Sequence, residues 1–440
     1  MIQEIGFFIP PSELFGNVVK RAPHDEKLNE TLERIFRNIE ESARGTESEN
    51  NFKGLFDDFD VNSSRLGSSV LKRNERLVKL LSGVADMKLG EYKENTIDVF
   101  GDTYEYLMSM YASHAGKSGG EFYTPQEVSE LLTRLATADK KEVNKVYDPA
   151  CGSGSLLLKS AKILGKENVR QGFFGQEINI TTYNLCRINM FLHDIGYDKF
   201  NIACGDTLTS PEHWDDEPFE VIVSNPPYSI HWEGDNNPIL INDPRYAPAG
   251  VLAPRDKADF AFIMHMLAWL AENGTAAVVC CPGIMYREKK EKKIRRYLID
   301  GNYVDCVIQL PENLFFGTSI ATCIMVLKKN RSTTDILFID ASKEYVKVTN
   351  SNKLTDENIS KITKAFTSRK DAEDFCRLVP YDDVKENDYS LSVNIYVEKE
   401  DTREVIDIGK LNAEIKEIVK REDKLRAEID KIIAEIEDEK

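Results

Sequence analysis

From about residue 117 onward, short β-rich runs alternate with helical segments. The runs are "KVYDP", "GFFGQE", "FNIACGD", "EVIVSNP", "GTAAVVCCP", "VDCVIQLP" and "ATCIMVLKK". No other feature of the sequence restricts the fold as much. Alternation of this kind predicts βαβ units, and so an α/β architecture around a mostly parallel, doubly wound sheet. Ligands of such sheets bind just beyond the carboxyl ends of the strands. The residues that follow each run are therefore the ones that can carry chemistry.

The flanks differ in texture. Residues 1 to about 116 read as helical: "KLNETLERIFRNIEESARG" and "RLGSSVLKRNERLVKLLSGVADM" place apolar residues at helical spacing, with "FDDFDVNSSRLGSS" as a loop between them. "TIDVFGDTYEYLMSMYASHAGKSGG" continues the helical pattern and ends in a glycine-rich break. Residues 341–400 are mixed. At the end, Ile408, Leu411, Ile415, Ile418, Glu422, Leu425, Ile429, Ile432 and Ile436 follow a 3-4-3-4 spacing, a heptad seam with one polar interruption. So narrow a stripe wants a partner helix, or else packs back on its own chain. The expected organisation is a helical domain over 1–116, an α/β domain over 117–400 and an association helix over 401–440.

Composition narrows the classes of function. The 440 residues carry a formal charge of −17, of which the last forty contribute −4, so the acidity belongs to the body of the chain. Non-specific DNA affinity comes mostly from lysine and arginine on phosphates, so a chain like this does not grip nucleic acid alone. The eight cysteines are scattered without a C-x-x-C pair, and the six histidines are equally dispersed. Neither a disulfide framework nor a metal site is suggested. No apolar run approaches the length of a membrane span. "MIQEIGFFIPPSELF", with Glu4 and two early prolines, is a poor signal peptide, and a cytoplasmic location is expected.

The strand ends repay inspection in order. After "KVY" comes Asp148-Pro149-Ala150-Cys151-Gly152-Ser153-Gly154-Ser155, followed by the helical "LLLKSAKIL". A G-x-G turn between strand and helix lets the backbone approach a ligand, while the missing third glycine disfavours a nicotinamide cofactor. The second run ends at Glu177, where a carboxylate suits the ribose hydroxyls of a nucleoside. The third ends "CGDTL", with Asp206 beside the same crevice, where it can accept from an adenine amino group. Either acid alone is equally a helix cap or a surface charge. The fourth run stops at Asn225-Pro226-Pro227-Tyr228, where two prolines remove N–H groups and fix the backbone.

The ordered set "GGEFYTP" (119–125), "DPACGSGS" (148–155), "GQE" (175–177), "GDT" (205–207), "NPPY" (225–228) and "LFFGTSIATCIMVL" (314–327) resembles the S-adenosylmethionine-dependent DNA adenine-N6 methyltransferases in which cofactor motifs precede the catalytic one. "NDPRYAPAGVLAPRDKADFAFIMHML" (242–267) and "NDYSLSVNIYV" (387–397) further resemble the modification subunit of type I restriction–modification systems. The likeness covers nearly the whole chain. It implies a seven-stranded Rossmann-like methyltransferase sheet in a bacterial or archaeal protein.

The resemblance also assigns roles. Asn225, Pro226, Pro227 and Tyr228 are the expected catalytic residues: the Asn225 side chain and the Pro226 carbonyl accept the two N–H groups of the target amine. Tyr228 stacks the base, which has to be flipped out of the duplex. Phe315 is the implied opposite wall, with Phe316 as its competitor and plain core packing as the alternative for both. Cofactor contacts are implied for Phe122, Tyr123, Thr124, Asp148, Ala150, Gly152, Ser153, Gly154, Ser155, Glu177, Asp206, Thr207, Leu208 and Asn225, with Gly119-Gly120 letting the first of these segments move. Thr124-Pro125 equally suits a helix start. The long insertion 229–256 brings Trp232, Arg245, Arg255 and Lys257, which can meet DNA around the base or form a lid. The implied partners are double-stranded DNA, a specificity subunit docked on residues 405–440, a second copy of the chain, and a translocating restriction subunit. Methylation of a protein glutamine or of RNA, and a non-catalytic cofactor-binding scaffold, are the competing readings.

Overall fold

Along β1 (Val143–Asp148) every residue is buried, with Val146 and Tyr147 packed into different cores on opposite faces of the sheet. A strand covered on both sides needs apolar residues at successive positions rather than alternate ones, which is why these runs read as near-continuous apolar stretches. The same division recurs in β4 (Phe219–Ser224) and β5 (Leu270–Cys280). Ile222, Ala276 and Val278 face one core, and Val221, Val223, Ala277 and Val279 face the other.

The computed structural model describes residues 5–87, 103, 106, 107, 110, 124–214, 217–315, 319–348, 351–397 and 408–438. Its remaining sheet strands are β2 (Val169–Glu177), β3 (Phe200–Cys204), β6 (Val304–Gln309), β7 (Cys323–Lys328), β8 (Ile336–Asp340) and β11 (Cys376–Val379). Two further strands, β9 (Val346–Val348) and β10 (Ser351–Lys353), pair as a separate hairpin. The order is β11-β8-β6-β7-β5-β4-β1-β2-β3, parallel except for β7 between β5 and β6 and for β11 at the edge. All seven expected runs are strands. The sheet is nonetheless nine-stranded, because β8 and β11 continue it past β6.

In the N-terminal part, α1 (Phe15–Arg21), α2 (Leu28–Ser42), the single turn α3 (Glu49–Phe52) and α4 (Val70–Ala85) surround a small core. Leu28, Leu32, Ile35 and Ile39 recur at helical spacing along α2 and are all buried. The expected loop at 56–69 separates α3 from α4, which starts on a Ser69 cap. Of the third expected helical stretch only Thr103, Tyr106, Leu107 and Met110 are described, and these are helical. Phe122, Tyr123, Gly119-Gly120 and Phe316 lie outside the described residues.

The helices α5 (Gln126–Ala136), α6 (Ser155–Leu164), α7 (Ile180–Leu192) and α10 (Asp356–Ser368) cover one face of the sheet. The other face is covered by α8 (Asp259–Trp269) and α9 (Lys290–Asp300), with the short α11 (Tyr381–Glu386) and α12 (Val393–Tyr396). The N-terminal helices dock on α7. The Arg187 guanidinium, only 1% exposed, donates to the carbonyls of Asn50, Asn51 and Lys53, and Asn184 donates to Asp58 at 2.8 Å. Residues up to Val397 form one unit, and α13 (Ile408–Asp438) belongs to a second. Every side chain described along α13 is exposed. Among the described residues no helix is long and apolar enough to cross a membrane.

Candidate active site

Because β4, β1, β2 and β3 are neighbours in that order, the four inspected motifs meet at one edge of the sheet. Side chains and backbone knit them together. Ser224 at the end of β4 donates to Asp148 Oδ1 at 2.8 Å, and Thr207 Oγ1, after β3, donates to the Pro149 carbonyl at 2.6 Å. The Gly152 N–H donates to Glu177 Oε2 at 3.0 Å, and the Gly205 N–H donates to the Glu177 carbonyl at 3.0 Å.

The loop between β1 and α6 turns through Gly152 (φ 54°) and Gly154 (φ 85°). A Cβ at Gly154 would lie 2.8 Å from Cys186 Sγ, so only glycine lets α6 start this close to α7. Ser155 opens α6, Ser153 gives its carbonyl to Asn189 Nδ2 at 2.9 Å, and the Ala150 N–H donates to Asp148 Oδ1 at 3.0 Å. Asp148 is buried, and its second oxygen, Oδ2, has no hydrogen-bond partner. Burial pushes its carboxyl up to about 7, against the pull of the Ala150 and Ser224 donors. Burial also raises the Glu177 carboxyl, which accepts from Asn179 as well as from Gly152. The two oxygens of Asp206 accept from the Leu208 N–H and the Thr209 hydroxyl within its own turn.

At the fourth strand end, the Asn225 amide is held from both sides. Its Nδ2 donates to Thr124 Oγ1 at 3.1 Å, and its Oδ1 accepts from the Tyr228 hydroxyl at 2.6 Å. Thr124 therefore makes no helix cap. The cap of α5 is Pro125, without a side-chain bond, and the Thr124 hydroxyl is turned to Asn225 instead. Pro226 is buried, and burial pushes the Tyr228 phenol well above its ordinary value. Phe315 is buried in the core, with its ring perpendicular to that of Tyr228 and the centroids 6.4 Å apart. A base stacked parallel to Tyr228 would therefore stand perpendicular to the Phe315 ring rather than stack on it.

Three contributions escaped the sequence. Ser229, with φ 49°, is clamped by Asp259, whose carboxylate accepts from its N–H at 3.1 Å and from its hydroxyl at 3.3 Å. Cys281 Sγ donates to the same carboxylate at 3.3 Å, so β5 helps to hold the residue after Tyr228. The only available signal was an acidic residue opening the apolar "DFAFIMHML". The third contribution is Arg245, which does not face DNA. It is 1% exposed and donates to the carbonyls of Thr207 and Leu208 at 2.8 Å each and to Asp243 at 2.7 Å. It also donates to His265 Nδ1 at 3.2 Å. Since arginine only donates, His265 carries its proton on Nε2 and gives it to Tyr147 Oη at 2.9 Å. Trp232 is likewise buried, its Nε1 donating to the Pro254 carbonyl, while Arg255 stays exposed and Lys257 pairs with Asp256. The insertion is a folded brace, tied by Arg245 to the turn after β3 and by Ser229 to Asp259 of α8. Among the described residues no group of three or more His, Cys, Asp or Glu side chains is arranged to hold a metal.

Residues 95–405 match the family model described as N-6 DNA Methylase. The chain belongs to this family. Residues 1–84 of this methylase match the HsdM N-terminal domain. It is 52% identical to the type I restriction enzyme MpnII methylase subunit of Mycoplasma pneumoniae, over 98% of this chain and 82% of that one. It is 33% identical to the MjaVII methylase subunit of Methanocaldococcus jannaschii, over 79% of this chain and 60% of the relative. Its fold matches the crystal structure of a type I restriction-modification system methyltransferase subunit from Streptococcus thermophilus with a TM-score of 0.83 at 36% identity. That match covers 90% of this chain and 82% of the other. The methylase thus joins the methylase subunits of type I restriction enzymes, although it spans only about three fifths of the archaeal relative's length.

Proposed function

We propose that this methylase transfers a methyl group from S-adenosylmethionine to the N6 amine of a flipped-out adenine in double-stranded DNA, directed by a separate specificity subunit. The observation that carries the reading is the double clamp on Asn225, whose carboxamide is aimed by Thr124 and Tyr228 beside the glycine loop. The unsatisfied Asp148 Oδ2 and the Glu177 carboxylate suit a nucleoside that carries positive charge, and the Gly152–Gly154 turn suits its close approach. Bound there, S-adenosylmethionine supplies an electrophilic methyl on a sulfonium. Phe122, Tyr123 and Thr124 are assigned to its methionine end, Asp148, Ala150, Gly152, Ser153, Gly154 and Ser155 to its middle, and Glu177, Asp206, Thr207 and Leu208 to its nucleoside.

The protein's own part is to make the adenine amine nucleophilic. Its lone pair is delocalised into the ring, and two preorganised acceptors, Asn225 Oδ1 and the Pro226 carbonyl, draw its N–H bonds and favour a tetrahedral nitrogen. Pro226 and Pro227 fix the direction of that carbonyl. Tyr228 supplies the stacking face and must release Asn225 Oδ1 as the amine takes its place. Holding nitrogen, carbon and sulfur in line provides much of the remaining acceleration.

The exposed Leu411, Ile415, Ile418, Leu425 and Ile429 of α13 support docking on helices of the specificity subunit. A second copy of the chain and a translocating restriction subunit complete the proposed assembly. The domain limits carried forward are 1–116, 117–400 and 401–440. The test is to incubate the chain with labelled cofactor and DNA, with and without its specificity subunit. Label on adenine N6 only when that subunit is present is expected, and label in protein or RNA instead overturns the reading.

A further inference from the structure

The chain is strongly acidic, yet residues 287–296, "REKKEKKIRR", hold seven basic side chains against two acidic ones, a net of +5 in ten residues. This run follows β5, the strand that neighbours β4 on the side away from β1, and it opens α9. Two contacts fix it beside the candidate catalytic turn. Cys281 Sγ, on the approach to α9, donates to the Asp259 carboxylate that clamps Ser229, and Lys290 Nζ lies 2.9 Å from Asp235 in the insertion.

Arg287 and Lys290 pair with Glu291 and Asp235, and the other five basic groups divide into two sets. On the inner side of α9, Arg295 is buried and donates to the carbonyls of Tyr389, Ile284 and Arg287. Lys292 is clasped by Glu288 and Asp388. These groups hold the helix in place. On the outer side Lys289, Lys293 and Arg296 recur at helical spacing and are all exposed, with Arg296 paired to Asp300 at 3.1 Å. Lys289 and Lys293 have no acidic partner among the described residues. Lys289 also adopts φ 64° and ψ −121°, a region that favours glycine. Strained non-glycine residues persist where the surroundings impose them, and they cluster at functional sites.

We propose that Lys289, Lys293 and Arg296 form a rail for the phosphates of the DNA strand beside the flipped adenine. The proposal rests on the DNA-methylase reading above and adds where the acidic chain touches its substrate. A flipped nucleotide brings its flanking phosphates toward the pocket rim, and a row of exposed cations there is complementary to them. Such contacts position the duplex without reading sequence. They also explain how a chain of charge −17 can approach DNA at all, since the charge that matters lies at the rim of the site.

The experiment replaces both unpaired lysines, as Lys289→Gln with Lys293→Gln, in the full chain assembled with its specificity subunit. DNA binding is measured directly at several salt concentrations, apart from methyl transfer. Losing two phosphate contacts should weaken binding on the order of 10-fold near physiological salt and reduce the slope of log affinity against log salt by about 1.8. Cofactor affinity and assembly should be unchanged, because both side chains are on the surface. An unchanged slope and affinity overturns the rail. Loss of assembly with intact DNA binding by the residual complex assigns the face to the partner protein and also overturns it. If the unmodified assembly binds DNA with the expected slope but labels no adenine, the methylase reading fails while the rail stands.

Discussion

The Tyr228 hydroxyl donates to Asn225 Oδ1 at 2.6 Å, so the acceptor proposed for the adenine amine is already engaged. On that proposal an incoming base exchanges one hydrogen bond for another rather than meeting a bare carbonyl. Tyr228→Phe keeps the stacking face and frees the acceptor. One neutral hydrogen bond is worth about 1 kcal/mol, so transfer should stay within about 5-fold of the parent. Tyr228→Ala removes the face and should cost about 1–3 kcal/mol of base binding, seen as a raised KM for DNA. Equal losses in both variants, read by steady-state kinetics, would assign the hydroxyl rather than the ring.

Asn225→Ala should leave cofactor binding nearly intact and lower kcat by about 10²- to 10³-fold, the usual cost of one preorganised group. Thr124→Val removes the partner of Nδ2 without touching Oδ1 and should lower kcat about 5- to 10-fold. Calorimetric cofactor titration beside a transfer assay separates the two effects. Retained transfer in Asn225→Ala refutes the role given to that residue.

The Asp148 carboxyl, pushed up to about 7 by burial, is largely protonated at pH 6 and largely ionised at pH 8. A cationic cofactor favours the ionised form, so binding should strengthen as pH rises through 7 and should release protons below it. Below pH 6 the carboxyl is neutral and the advantage is lost. Titrations in buffers of different ionisation enthalpy count those protons. The pH dependence should vanish in Asp148→Asn, and a dependence that persists there belongs to another group.

Arg245 ties the insertion to the turn after β3. Arg245→Met takes the guanidinium from the Thr207 and Leu208 carbonyls and from Asp243, leaving Leu208 only the Tyr246 hydroxyl and Asp243 only the backbone N–H of residue 245. Losing these hydrogen bonds from a buried guanidinium costs about 1–3 kcal/mol, so a drop in thermal stability is expected. Arg245→Lys retains charge but not the fork, and should fold while raising the KM for the cofactor more than it lowers kcat. A KM for DNA that rises alone would return Arg245 to the DNA-facing role the sequence suggested.

Removing residues 405–440 takes away α13, whose described side chains are all exposed. Cofactor affinity should be unchanged while co-purification with the specificity subunit is lost. Assembly that survives the truncation would mean that the apolar stripe of α13 has another use.

The sequence by itself determined the strand–helix alternation, the seven runs that became strands, and the order of their ends. Each of these is local: a run covered on both faces must be apolar throughout, and a G-x-G or a Pro-Pro leaves its mark over a few residues. It was less informative wherever the structure depends on distant partners. β11 is four residues long and exists because β8 offers it an edge. Arg245 and Trp232 look like DNA-facing residues in a polar loop, and only the folded brace shows them buried against carbonyls 37 and 22 residues away. Thr124 looks like a cap, and only the packing of α5 against β4 turns its hydroxyl to Asn225, 101 residues on. A motif specifies which groups are present. The long-range contacts that satisfy buried polar atoms decide which of those groups remain free for a ligand, because a donor already spent on a carbonyl is not available to DNA.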